Sequence, residues 1–164
     1  MLRPTIYEAA GGAGAFLALA RAHHGRCLAD PVLNHPFSHG THPEHVEHLA
    51  SYWAEVFGGP PSYSDSVQDQ TAMLSLHSET GAEDDLGERF LECFIKAIDV
   101  AQLPEDAELR AALRGYMTWA VGDVMSYAPH GSRVRPGLRV PRWGWEGLES
   151  DDPQRSLKLC LADS

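Results

Sequence analysis

Apolar positions recur at helical spacing in four long stretches of the chain. From about Gly14 to Ala29 the set Phe16, Leu19, Ala20, Cys27 and Leu28 falls on one stripe, and Pro31 follows its end. A second stripe runs through Val46, Leu49, Ala50, Trp53, Val56 and Phe57. Its helix is expected to open at Pro43 and to stop at Gly58-Gly59-Pro60-Pro61. The third spans roughly Glu83 to Ala101 on Leu86, Phe90, Phe94, Ala97, Ile98 and Ala101. The fourth begins near Pro104, where Glu105 and Asp106 suit the positive end of a helix, and continues through Leu109, Ala112, Leu113, Tyr116, Ala120, Val124 and Tyr127. Ala72 to His77 supplies one short helix. Residues 1–12 read as a lead-in closed by Gly11-Gly12, residues 30–42 as a turn-rich link, and residues 60–72 and 78–85 as loop or short turns. No stretch alternates convincingly as a strand, so the pattern predicts an all-α domain of about four main helices.

The domain is expected to occupy residues 1–128, with residues 129–164 as a Pro/Gly-rich extension. That tail is expected to lack regular structure, with Trp143 and Trp145 pinning it to the helices and disorder beyond about Glu149.

Composition narrows the function classes. The chain has 164 residues, 43% of them hydrophobic, enough for one domain with a real core. A formal net charge of -10 repels phosphate backbones and anionic lipid, which disfavours nucleic acid and membrane surfaces as partners. No apolar run approaches the ~20 residues of a membrane helix. Glu8 and the glycines that interrupt the N-terminal apolar segment argue against a signal peptide. Cys27, Cys93 and Cys160 are far apart and form no CxxC pair, so a cytoplasmic protein without a disulfide framework is expected.

Histidine is the unusual component: there are nine, and seven lie between His23 and His48. His23 and His24 fall on or beside the first apolar stripe, where a buried imidazole must find a polar partner. The sharpest pattern is His42-Pro-Glu-His45-Val-Glu-His48. Neighbouring members of that series could share a metal, but all three span too wide an arc to converge easily on one ion. The simpler account has His42 capping, His48 solvated and only His45 on the apolar face. HExxH, paired Glu-x-x-His, GxSxG and P-loop motifs are all missing. Cys27, close to His23 and His24, is most simply core.

IYEAAGG at the start, Phe16 to Phe37 with its DPVL, HPEHVEHLASYWAEVFGGPPSYS, the histidine of MLSLH, ERFLECF and LRGYMTWAVGDV occur in one order and spacing. In this the chain resembles the truncated haemoglobins, in particular their second group in an actinobacterial type, over roughly residues 5–128. The resemblance implies a two-over-two helical sandwich around one haem b. His77 matches the proximal iron ligand, a role that neutral imidazole nitrogen suits. Phe37 matches the aromatic at the haem edge, Leu49 and Trp53 match the distal wall, and His45 matches a gate one turn before Leu49. Three positions depart from the family pattern. His24 stands where a tyrosine usually bonds the dioxygen ligand, Phe90 where a tryptophan usually donates an indole N–H, and Leu76 where relatives often carry a base that pairs a propionate. That pairing must come from elsewhere, with Tyr63 and Arg89 as unassigned candidates.

The implied function is binding of dioxygen or another diatomic ligand. His24 and His45 are the distal candidates, as N–H donors or as a sixth iron ligand, with His23 behind them. The rival is a haem enzyme, a peroxidase or nitric oxide dioxygenase, fed by a separate reductase. A homodimer is compatible with either. A third reading places a non-haem zinc or iron ion at His42, His45 and His48.

Overall fold

The computed structural model describes residues 2–34, 42–80 and 85–149. Among these residues the chain forms seven α-helices, α1 (Ile6–Ala10), α2 (Ala13–Ala29), α3 (His45–Val56), α4 (Ser62–Ser66), α5 (Gln70–His77), α6 (Leu86–Val100) and α7 (Ala107–Met125). Two short strands follow, β1 (Arg142–Gly144) and β2 (Gly147–Glu149).

The four long helices fall where the periodicity predicts. α2 packs on α3 and on α6, and α6 packs on α7, so two helix pairs are joined across the α2–α6 contact. A run of rings ties the layers together. Tyr7 stacks on Phe16 at 5.8 Å, Phe16 on Phe57 at 5.5 Å, and Tyr116 meets Phe57 edge-on at 4.9 Å. Phe16, Phe57 and Tyr116 are at most 2% exposed, and burying an aromatic side chain of this size contributes on the order of 1.5–3 kcal/mol.

Local chemistry sets the helix ends. The Asp106 carboxylate accepts from Leu109 N at 2.8 Å at the head of α7, and Asp69 accepts from Ala72 N at 2.8 Å at the head of α5. The Glu55 carboxylate, buried at the end of α3, accepts from the Ser64 N–H at 2.9 Å and so holds the first turn of α4.

Three expectations are corrected. The stretch 60–72, expected as loop or short turns, contains α4 and the start of α5, which Asp69 caps. The lead-in contains a helix, α1, because Thr5 and Glu8 form a reciprocal capping box. The extension is not irregular throughout: β1 and β2 pair antiparallel, Trp143 opposite Leu148, as a hairpin lying against α7 and α3. Trp143 meets Tyr116 and Trp119 at 5.8 Å in each case, and Trp145 donates from Nε1 to the Pro4 carbonyl at 2.9 Å, so the tryptophans do pin the tail. The segment beyond Glu149, expected to be disordered, lies outside the described residues. No described helix is long and apolar enough to cross a membrane.

Candidate haem site

His77 is the last residue of α5. Leu74, 1% exposed, anchors that helix in the interior, while His77 itself is exposed. The His77 Nδ1 lies 2.8 Å from the Met73 carbonyl oxygen. A carbonyl only accepts, so Nδ1 is the donor, and in the neutral ring Nε2 is then the nitrogen that keeps a lone pair. A metal-binding imidazole is typically held in this way, its second nitrogen donating to a backbone carbonyl.

Three further histidines gather between α2 and α3. The His24 and His45 rings lie 5.1 Å apart at 56°. Burial lowers the pKa of His24. It also lowers that of His45, on which His24, His77, His48 and His42 then act in the same direction. His77, from α5, is therefore close enough to His45 for their charges to interact. His45 thus lies between His24, its ring neighbour, and the region of His77. The His24 and His45 rings are half-buried and favour the neutral form.

His23 is placed differently from its expected role. It is 1% exposed, edge-on to Phe90 at 4.4 Å, Trp53 at 5.4 Å and Phe94 at 6.0 Å. Its Nε2 lies 3.3 Å from the Cys27 Sγ one turn along α2. Burial, with added repulsion from His24 and His45, pushes its pKa down to about 4, against the opposite influence of the Cys93 backbone. His23 is a neutral core ring, and its imidazole faces aromatic side chains. Cys27 is buried with it, its thiol pushed up to about 12 chiefly by burial.

Trp53 is 2% exposed, and Leu49 and Phe90 are half-buried against the same core cluster, so these three form apolar wall beside the histidines. Phe37 lies outside the described residues. The expected propionate partners are engaged elsewhere. The Tyr63 ring is 4% exposed against Tyr52 at 5.0 Å, and its hydroxyl accepts from Gln68 Nε2 at 2.8 Å. Arg89 pairs with the Asp30 carboxylate at 3.2 Å. The expected grouping of His42, His45 and His48 is split, because His45 sits by His24 while His42 stacks on His48 at 5.1 Å. The sequence reading missed the His23–Cys27 pair, whose signal is the i, i+4 spacing on α2.

The residues present fit a haem: a surface-facing imidazole with a defined free nitrogen, an apolar wall, and two half-buried imidazoles near it. The profile of the bacterial-like globins matches residues 5–124. Among solved structures, a haemoglobin from the thermophilic phototrophic bacterium Chloroflexus aurantiacus is 28% identical, with 75% of this chain and 98% of that one covered and a TM-score of 0.65. A thermostable haemoglobin from the actinobacterium Thermobifida fusca is 30% identical, with 74% and 97% covered and a TM-score of 0.62. The group II truncated haemoglobin of Bacillus anthracis shares the fold at 18% identity, with 84% and 98% covered and a TM-score of 0.67. No curated protein matches the chain. The profile spans most of the chain and the solved haemoglobins are covered nearly whole: the chain belongs to the bacterial-like globin family, whose cofactor is haem iron.

Proposed function

We propose that the protein is a truncated haemoglobin of the second group, of actinobacterial type, that binds dioxygen or a similar diatomic gas on a haem b held through His77. The single observation that carries the reading is the His77 Nδ1 to Met73 carbonyl contact at 2.8 Å, which presents Nε2 as a lone-pair donor. Bound haem supplies a ferrous iron with affinity for diatomic gases. Leu49, Trp53 and Phe90 exclude water from one side of the pocket, and the family resemblance assigns Phe37 to the haem edge. His24 and His45, both shifted toward the neutral form, each keep one N–H to donate to a polarised ligand. A hydrogen bond of that kind contributes about 1–3 kcal/mol, or roughly 5- to 150-fold in affinity.

The test is the visible spectrum of the haem-loaded protein, ferric and dithionite-reduced, beside His77→Ala. The expected outcome is a histidine-ligated haem in the wild type that His77→Ala loses. An unchanged spectrum in His77→Ala overturns the assignment. The same spectra decide whether His24 or His45 reaches the iron. A low-spin form without added ligand places one of them there, and a high-spin form leaves both as donors.

The neighbouring neutral imidazoles also favour a second reading, a peroxidase-like enzyme supplied by a separate electron donor, since His24 and His45 together can accept and pass on a proton. Peroxide-dependent dye oxidation no faster than that of free haem excludes it.

A further inference from the structure

The pair of rings that His45 leaves behind has its own chemistry. Just before and inside the first turns of α3, His42, Glu44 and His48 each offer a ligand atom, and those atoms lie within 4.8 Å of one another. The two imidazoles are nearly parallel, 5.1 Å apart at 29°. The His48 Nε2 is 3.5 Å from the Glu44 Oε2. Glu44 joins the group because it is one helical turn before His48, whereas His45 is rotated off this face toward His24.

We propose that His42, Glu44 and His48 bind a divalent transition cation, zinc or copper, on the surface at the head of α3, independently of the haem. Two imidazole nitrogens and one carboxylate oxygen are a borderline donor set that suits zinc and copper(II). Calcium and magnesium want an oxygen cage, and here there is one carboxylate. Three protein ligands leave a fourth position to water, the pattern of an open zinc site. The positive end of the α3 dipole opposes a cation, but a full carboxylate charge at Glu44 outweighs the half charge of the helix end. Ligation also changes one local bond. His42 Nδ1 accepts from the Glu44 N–H at 3.1 Å. Binding through Nε2 moves the His42 proton onto Nδ1 and releases that N–H, so the turn before α3 adjusts as the ion enters. His42 and Glu44 are exposed and His48 half-buried, so the ion enters from solvent without opening the core.

The experiment is zinc titration by calorimetry into the full-length, haem-loaded, ferrous protein under carbon monoxide, which keeps the iron occupied. Wild type is compared with His42→Ala, His48→Ala and Glu44→Gln, and with His130→Ala as a remote control. One zinc per chain is expected. Loss of even an outer-shell partner weakens metal sites about tenfold or more, so each histidine variant should weaken zinc by at least that factor while His130→Ala leaves it unchanged. X-ray absorption at the zinc edge of the wild type, which needs no variant to fold, should count two imidazoles. A histidine double variant that binds zinc as tightly as wild type overturns the site, and so does a zinc shell without imidazole.

Discussion

The His77 Nδ1 sits 2.8 Å from the Met73 carbonyl oxygen one turn back along α5, so the chain itself chooses the tautomer of the histidine proposed to hold the iron. His77 is exposed and the helix is held from its other side by Leu74. Removing the imidazole should therefore cost haem and spare the fold. His77→Gly is expected to keep the wild-type far-ultraviolet circular dichroism as apoprotein and to bind haem weakly. Added imidazole should restore the histidine-ligated visible spectrum by filling the space of the missing ring. A variant that collapses, or one that imidazole fails to restore, contradicts the role.

His23 makes a prediction about acid. Its folded pKa is lowered to about 4 from 6.5, mainly by burial. Above pH 6.5 the ring is neutral folded and unfolded, and contributes no pH dependence. Between pH 6.5 and 4 the unfolded chain takes up the proton first, so stability falls with pH, and below about pH 4 the loss levels off. The linkage amounts to about 2 kcal/mol by pH 5. Urea unfolding at pH 7.5 and pH 5 should show His23→Leu losing that much less than wild type across the interval. Equal losses would assign the acid sensitivity to another group.

Sequence and structure part company at small scale. The four long helices were legible because each buries a stripe over several turns, so period dominates every other signal. The apolar pattern predicts only a lead-in where α1 stands, although Thr5-x-x-Glu8 is a capping box, because five residues are too few to show a period. The hairpin of Arg142–Gly144 and Gly147–Glu149 escaped for the same reason. Its three-residue strands cannot display alternation, and its turn depends on Gly147 at φ 107°. At the site, the family resemblance singles out His77, as a lone histidine after the Gly58–Ser64 stretch. Sorting the clustered histidines required rotations about α2 and α3 that spacing leaves degenerate. His23 turned to Cys27 and His24 to His45, and His42 turned to His48 with Glu44 rather than with His45.

Gly59 and Gly122 should respond oppositely to alanine. A Cβ on Gly59 would stand 2.7 Å from the Ala54 carbonyl oxygen and 2.7 Å from the Tyr7 ring. That oxygen already accepts from the Gly59 N–H, also at 2.7 Å, so neither the backbone nor the Tyr7–Phe16 stack has room to move. Gly59→Ala is expected to cost roughly 1–3 kcal/mol. Gly122 lies exposed within α7 with no atom near its missing Cβ, and Gly122→Ala should gain about 0.5–1 kcal/mol from helix propensity. Thermal melts of the two variants should bracket wild type.

The extension reaches α5, the helix that carries His77, so the proposed role of His77 predicts that the tail affects haem retention. Thr71, in the first turn of α5, donates from Oγ1 to the Arg135 carbonyl at 2.7 Å and accepts from the Leu138 N–H at 2.9 Å. Leu138 is buried against Leu74 and Tyr127, and Leu74 sits three residues before His77 on the same helix. Leu138→Ala leaves a cavity behind α5 and should cost about 2–3 kcal/mol of stability. Thr71→Val keeps the shape and removes both bonds. A looser α5 holds the His77 imidazole less well oriented, so both variants are expected to release haem to an acceptor apoglobin several-fold faster than wild type. Trp145→Phe, which removes the bond to Pro4 at the far side of the tail, should leave that rate alone. If all three variants melt earlier yet release haem at the wild-type rate, the extension only stabilises the fold and does not position His77.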